Sequence, residues 1–235
     1  MDMEYPIYVS ESKVEMLYGQ LPPKLAEQLG AEIGASIGLV SAKLKTNQVV
    51  LSPFQKAKII ETHIEKTCGF GSLYAPGDWI KDDWEVRYVD TDTSLARSMF
   101  LLLGDVDVSE DKSTYFLLGG SAQNIVGNKS ATAVKAGLSY LPFFLNAFKE
   151  GFAEWEKAMS SKDVWLDKEG ARIRHNYDQS GSELALSVRE LYEASKNVTP
   201  MRVKFAARML AKETSQSGKI RAHIYSPLYV ASAPN

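Results

Sequence analysis

The sequence predicts an α+β fold: a mainly antiparallel sheet, packed amphipathic helices and a C-terminal β-hairpin. Three observations carry this. Over residues 201–210, Met201, Val203, Phe205, Ala207 and Met209 interleave with Arg202, Lys204, Ala206, Arg208 and Leu210. After a polar break at 214–218, Ile220, Ala222 and Ile224 interleave with Arg221, His223 and Tyr225. A period of two belongs to half-buried strands, and the break reads as the turn between them. Two β-rich runs at 99–108 and 113–118 flank Ser109-Glu110-Asp111-Lys112 and read as a second hairpin. Strands and helices also mix without the regular alternation that builds a parallel sheet.

Residues 5–9 read as the first strand. Ser12 followed by Glu15 has the spacing of a capping box, in which each side chain meets the other residue's free amide. A short helix through Val14, Met16 and Leu17 follows and stops at Pro22-Pro23, with a second helix over 24–33. Residues 37–45 and 49–51 read as short strands. Pro53 suits the first turn of a helix, where its missing amide costs nothing. Phe54, Ala57, Ile60, Ile64 and Cys68 then share one helical face, up to the stop at Gly69-Phe70-Gly71. Residues 84–89 alternate as a strand. Leu141, Phe144, Phe148, Phe152, Trp155 and Met159 recur at three and four and predict the longest amphipathic helix. Ser180 with Glu183 opens another, through Leu184, Val188 and Leu191. No clean boundary divides the chain, so residues 1–235 read as one domain, with polar 160–182 as a mobile connection.

A chain of 235 residues is long enough to bury about 70% of its unfolded surface. Net charge is -2, which argues against nucleic acid as the general partner. The charge is unevenly spread: residues 201–223 carry six of the 27 basic residues and only Glu213 of the 29 acidic ones. Cys68 is the single cysteine, so an intramolecular disulfide and a thiolate metal cage are both excluded. The apolar runs at 99–103 and 138–145 are too short to span a bilayer, and Met1-Asp2-Met3-Glu4 lacks the features of a signal peptide. These features predict a cytoplasmic protein.

Candidate chemistry is sparse. Ser10-Glu11-Ser12-Lys13 fits a Ser-x-x-Lys pattern, but the partner motifs of serine acyl-enzymes do not occur, and the segment reads as a helix start. Asp90-Thr91-Asp92 and Asp105-Val106-Asp107 offer oxygen ligands of the kind divalent cations prefer. Asp105, Asp107, Ser109 and Asp111 fail as a calcium loop, because Glu110 and Phe116 occupy the positions of its glycine and last carboxylate. Gly119-Gly120-Ser121 reads either as a phosphate cradle or as a tight turn. Trp79, Trp84 and Tyr88 lie among acidic residues and read as core beside a solvated loop. His63, His175 and His223 are scattered and form no metal site by spacing, with His223 on the hairpin's basic face.

Three segments carry a resemblance. Tyr5-Pro6-Ile7-Tyr8-Val9-Ser10 with Lys13-Val14-Glu15-Met16-Leu17, the Phe116–Gly127 stretch with its Gly119-Gly120-Ser121, and Ser226-Pro227-Leu228-Tyr229-Val230-Ala231 together resemble an uncharacterised bacterial family common in actinomycetes. Residues 68–92 depart from the family's pattern. The resemblance implies one continuous domain, placed near caspase-like peptidases and tetratricopeptide proteins of bacterial conflict systems. It implies a role in defence or signalling and brings no catalytic residues or cofactor.

The expected function is a non-catalytic regulatory module that binds an anionic small molecule or a protein partner. Arg202, Lys204, Arg208 and Arg221 are the expected contacts, because guanidinium groups donate paired hydrogen bonds to phosphate or carboxylate. Gly119, Gly120 and Ser121 form the second candidate. The alternative is a metal-dependent enzyme of nucleotide or nucleotide-sugar chemistry, with Asp105 and Asp107 on the ion. A homodimer through an open sheet edge is compatible with the pattern.

Overall fold

The structure is a computed structural model, and it describes residues 4–36, 51–89, 99–108, 112–128 and 182–233. The strands expected at 37–45 and 49–51, the helix through Phe148, the 160–182 connection, His175 and Asp90-Thr91-Asp92 lie wholly or largely outside these residues.

Six strands form one sheet: β1 (Tyr5–Val9), β2 (Trp79–Tyr88), β3 (Met99–Val108), β4 (Ser113–Ser121), β5 (Met201–Thr214) and β6 (Ile220–Ser232). Its order is β1-β6-β4-β3-β2-β5, and β5 also pairs with β6, which closes the sheet into a small barrel. Closure removes the open edges that otherwise invite pairing with other chains. Every pairing is antiparallel except β4 with β6, so the expected mainly antiparallel sheet is found with one non-local exception. Four α-helices accompany the strands among the described residues: α1 (Glu11–Tyr18), α2 (Pro23–Ser36), α3 (Pro53–Thr67) and α4 (Ser182–Ala194).

Three apolar layers result. Ile80, Val86, Phe100, Leu102, Phe116, Leu118, Val203 and Phe205 fill the barrel, as side chains must in so narrow a ring. On one outer face α4 lays Ala185, Val188 and Leu191 over Leu101, Leu103, Leu117, Ala222 and Ile224. On another, α1 to α3 cover Ala206, Leu228, Tyr229 and Ala231 with Val14, Leu29, Ala57 and Ile60. The α3 dock also holds a buried carboxylate. Glu61 accepts hydrogen bonds from Tyr229 Oη at 2.7 Å and Lys81 Nζ at 2.8 Å and lies 3.0 Å from Lys58 Nζ. Burial alone would raise its pKa, but Lys58, Lys81 and Tyr229 together hold it below the usual carboxylate range.

Local chemistry explains several element ends. Ser52 and Gln55 form a reciprocal capping box at α3, with Pro53 at its first position. The box expected from Ser12 and Glu15 does not form: α1 begins two residues earlier, Ser10 is its N-cap with no side-chain capping bond, and Ser12 lies inside the helix. Strand β2 starts at Trp79 rather than 84, because β5 pairs with it from Arg208 back to Met201. Gly119, Gly120 and Ser121 lie within β4, opposite Leu101, Phe100 and Met99, and not in a turn. A Cβ on Gly120 would stand 2.1 Å from Tyr8 Oη, so close packing against Tyr8 is what requires glycine there.

The C-terminal ribbon contains two irregularities that decide where its charges go. Register shifts occur between Ala206 and Ala207 and between Met209 and Ala211. An extra residue in one strand inverts which side chains face in. Up to the second shift, Arg202, Lys204, Ala206 and Arg208 face out and Val203, Phe205, Ala207 and Met209 face in. Beyond it, Ala211 lies opposite outward-facing Ile224, and Lys212 lies opposite inward-facing His223. His223 is therefore not on an exposed basic face. It is 4% exposed, inside one end of the barrel.

Candidate functional site

The sequence-predicted cations divide between two faces of the ribbon. On the outer face Arg202 Nε bonds Asp83 Oδ1 at 2.8 Å, and Lys204 Nζ lies 3.4 Å from Glu4, which Lys58 also meets at 2.9 Å. Both are occupied by acids of neighbouring elements. Arg208 is exposed on the same face, opposite Ser226. Arg221 belongs to the inner face, opposite Thr214, at the end of the barrel where His223 lies. The four do not converge.

What does converge at that end is a different group: Lys212, Arg221, His223 and Tyr225. Lys212 faces His223 directly across the two strands, and Met209 faces Tyr225. Directly opposed residues of an antiparallel pair share a face. The rings of His223 and Tyr225 meet edge to face with centroids 6.3 Å apart. Neither ring nitrogen of His223 nor the hydroxyl of Tyr225 has a hydrogen-bond partner among the described residues. Each such orphan costs about 1–3 kcal/mol in a buried setting. Lys212 and Arg221 are exposed at the rim, and no carboxylate pairs with either among the described residues.

The electrostatics follow from this arrangement. Burial, then the charges of Lys212 and Arg221, pushes the His223 pKa down to about 4. The imidazole is therefore neutral at pH 7, with one nitrogen able to donate and one able to accept. Burial and then the Asp82 carboxylate raise the Tyr225 hydroxyl, which stays a donor. Asp82 is itself engaged, accepting from the amides of Leu73 at 2.8 Å and Asp83 at 3.0 Å. Two exposed cations above two buried unpaired donors form a setting that attracts negative charge. Beside it, outside the barrel, a cleft of about 840 Å³ between α4 and the β5–β6 turn is lined by Lys112, Arg189, Glu190 and Lys219 among others.

The candidate metal carboxylates are employed otherwise. The Tyr192 hydroxyl donates to Asp105, and Arg87 Nη1 donates to that hydroxyl at 3.1 Å. Burial and Asp105 push the Tyr192 pKa up to about 12. A register shift separates Asp105 from Asp107. No group of three or more potential ligands that could hold a metal occurs among the described residues. His63 and Cys68 are on α3 and at its C-cap, and Cys68 is exposed.

Sequence reasoning missed the pairing of Lys212 with His223, since the bulges that bring them together leave no compositional mark. It also missed the contact of Lys13 with β6, where Nζ lies 2.5 Å from Ser226 Oγ and donates to the Pro227 carbonyl at 2.8 Å. No described helix is long and apolar enough to cross a membrane. No curated protein and no solved structure matches the chain. One family model does, over residues 4–234, and it is described as a family of unknown function (DUF7019). The span is nearly the whole chain and takes in the barrel and its helices alike, so the chain belongs to the DUF7019 family of unknown function.

Proposed function

We propose that this chain is a ligand-sensing module of a bacterial conflict system, and that the open end of its barrel binds the anionic group of a small molecule without transforming it. The observation that carries the reading is the buried pair His223 and Tyr225 beneath the cations Lys212 and Arg221, all four without a hydrogen-bond or ion-pair partner among the described residues. An oxyanion placed there accepts from the Tyr225 hydroxyl and one imidazole nitrogen while Lys212 and Arg221 neutralise its charge. A small molecule is favoured over a protein surface because the unpaired atoms are buried, within reach only of a slender group. The conflict-system setting rests on the resemblance of the three segments within 5–17, 116–127 and 226–231. Asp105 is held by Tyr192, so nothing favours the metal-dependent alternative.

Thermal unfolding with inorganic phosphate, pyrophosphate and citrate tests the reading. A ligand at one hundred times its Kd adds about 2.7 kcal/mol to folding stability. At least one of the three anions should raise the Tm of the wild type and leave that of the Lys212→Ala/Arg221→Ala variant unmoved. No rise with any anion, or an equal rise in the variant, rejects the site.

A further inference from the structure

The pair Lys13 and Ser226 is not used by the barrel-mouth site. The two are 213 positions apart in sequence and meet because of a gap in the sheet. Strand β4 accompanies β6 only as far as Tyr225, and β1 accompanies it only from Tyr229. Between them the β6 edge is closed by two local contacts, the Ser10 amide to Leu228 O at 2.9 Å and Lys13 to Pro227 O. Pro227 brings no amide of its own. Helix α1 lies over this gap and carries Lys13 into it, with Nζ 2.5 Å from Ser226 Oγ.

Three properties distinguish Lys13 from a surface lysine. It has no carboxylate partner among the described residues. Burial alone lowers its pKa to about 8, so a sizeable neutral fraction exists in mildly alkaline solution. Its two contacts are a hydroxyl and a carbonyl, which suit a neutral amine as well as an ammonium: the amine accepts from Ser226 and donates to Pro227. A third group stands across the strand pair. Arg208 is directly opposite Ser226 on the outer face, exposed, with no acid paired to it among the described residues.

We propose that Ser226 is a nucleophile with Lys13 as its base and Arg208 as the stabiliser of the oxyanion, a site for acyl esters. Nucleophile, base and electrophile are the three roles such a reaction needs. The Ser226 oxygen forms a bond to the ester carbonyl carbon as its proton passes to neutral Lys13. The carbonyl electron pair moves onto oxygen, beside the Arg208 guanidinium. Collapse breaks the bond to the leaving oxygen, which takes the proton from Lys13, releasing an alcohol and leaving an acyl-Ser226 ester. Water, deprotonated by Lys13, then hydrolyses that ester to a carboxylic acid and restores Ser226. Ser226 is 8% exposed, so the acyl group must be slender.

The proposal stands apart from the barrel mouth and has its own test. The full-length protein is treated with a small alkyl fluorophosphonate, in which the serine oxygen displaces fluoride, and the adduct is located by peptide mass spectrometry. The expected result is modification of Ser226, with a rate that rises about tenfold per pH unit and levels off near pH 8 as Lys13 loses its proton. Lys13→Ala should slow labelling by about 100-fold or more, the range for loss of a general base. The wild-type pH profile tests Lys13 even if that variant fails to fold. An absent Ser226 adduct in folded protein at pH 9, a flat profile, or undiminished labelling of folded Lys13→Ala overturns the proposal.

Discussion

Replacing Gly120 with alanine separates packing from ligand binding at the glycine pair. The new Cβ would stand 2.1 Å from Tyr8 Oη, 2.7 Å from Cζ and 3.1 Å from Cε2. Tyr8 is 1% exposed, and its ring stacks on Phe100 at 4.8 Å while its hydroxyl accepts from Asn124 at 3.3 Å. The ring cannot retreat without giving up both contacts. Overpacking of this kind costs about 1–3 kcal/mol, and the lost hydrogen bond about 1 kcal/mol more. The better strand propensity of alanine returns about 0.5–1 kcal/mol. A net loss of about 1–3 kcal/mol follows. Urea unfolding should show a lower midpoint with an unchanged slope. Tyr8→Phe removes the nearest atom, so the double variant should lose at least about 0.5 kcal/mol less than the sum of the singles. An unchanged midpoint in Gly120→Ala would refute the packing argument. Unchanged stability with lost anion binding would restore the glycines as a cradle.

The other expectations concern charge. His223 is held neutral in the fold and titrates near 6.5 when unfolded, so the unfolded chain alone gains a proton as pH falls from about 6.5 to 4. Stability should decline across that window by at most about 3 kcal/mol and then level off, and His223→Phe should flatten the curve. Glu61 has the opposite setting: its folded pKa is depressed, so its contribution is present above about 4.5 and is lost below it as pH falls. Glu61→Leu leaves Tyr229 Oη without its acceptor and should cost about 3–5 kcal/mol in urea unfolding, whereas Glu61→Gln, which keeps an acceptor, should cost less. Arg202→Ala should leave the urea midpoint unmoved, since Arg202 is exposed and its partner Asp83 is only half-buried.

Much of the fold is written in local pattern. The period-two run beginning at Met201 found β5, the capping residues around Pro53 found α3, and the paired apolar runs found the β3–β4 hairpin. Each depends on residues near one another in sequence. The parallel pairing of β4 with β6 has no such signal, because it joins segments a hundred residues apart. The bulges near Ala206 and Met209 insert no unusual residue, yet they turn His223 and Lys212 inward and separate Arg221 from Arg202. Apolar character on both faces of β6 was the available clue: Ala222 and Ile224 lie under α4 while Tyr225 lies in the barrel. Gly119 and Gly120 read as a turn because composition cannot show that Tyr8 claims the space above Gly120. Ser10-x-x-Lys13 read as a helix start, and Ser10 is the N-cap of α1, but the contact of Lys13 with Ser226 across the sheet gap left no local signal.

An NMR titration of the His223 imidazole, with and without excess inorganic phosphate, bears most directly on the barrel mouth. Free protein should titrate near pH 4. Bound phosphate should raise that midpoint by one unit or more, and by linkage phosphate should bind more tightly as pH falls. The rise should vanish in Lys212→Ala/Arg221→Ala. A midpoint near 6.5 in the free protein, or one that phosphate leaves in place, would mean that no anion is recognised by these four side chains.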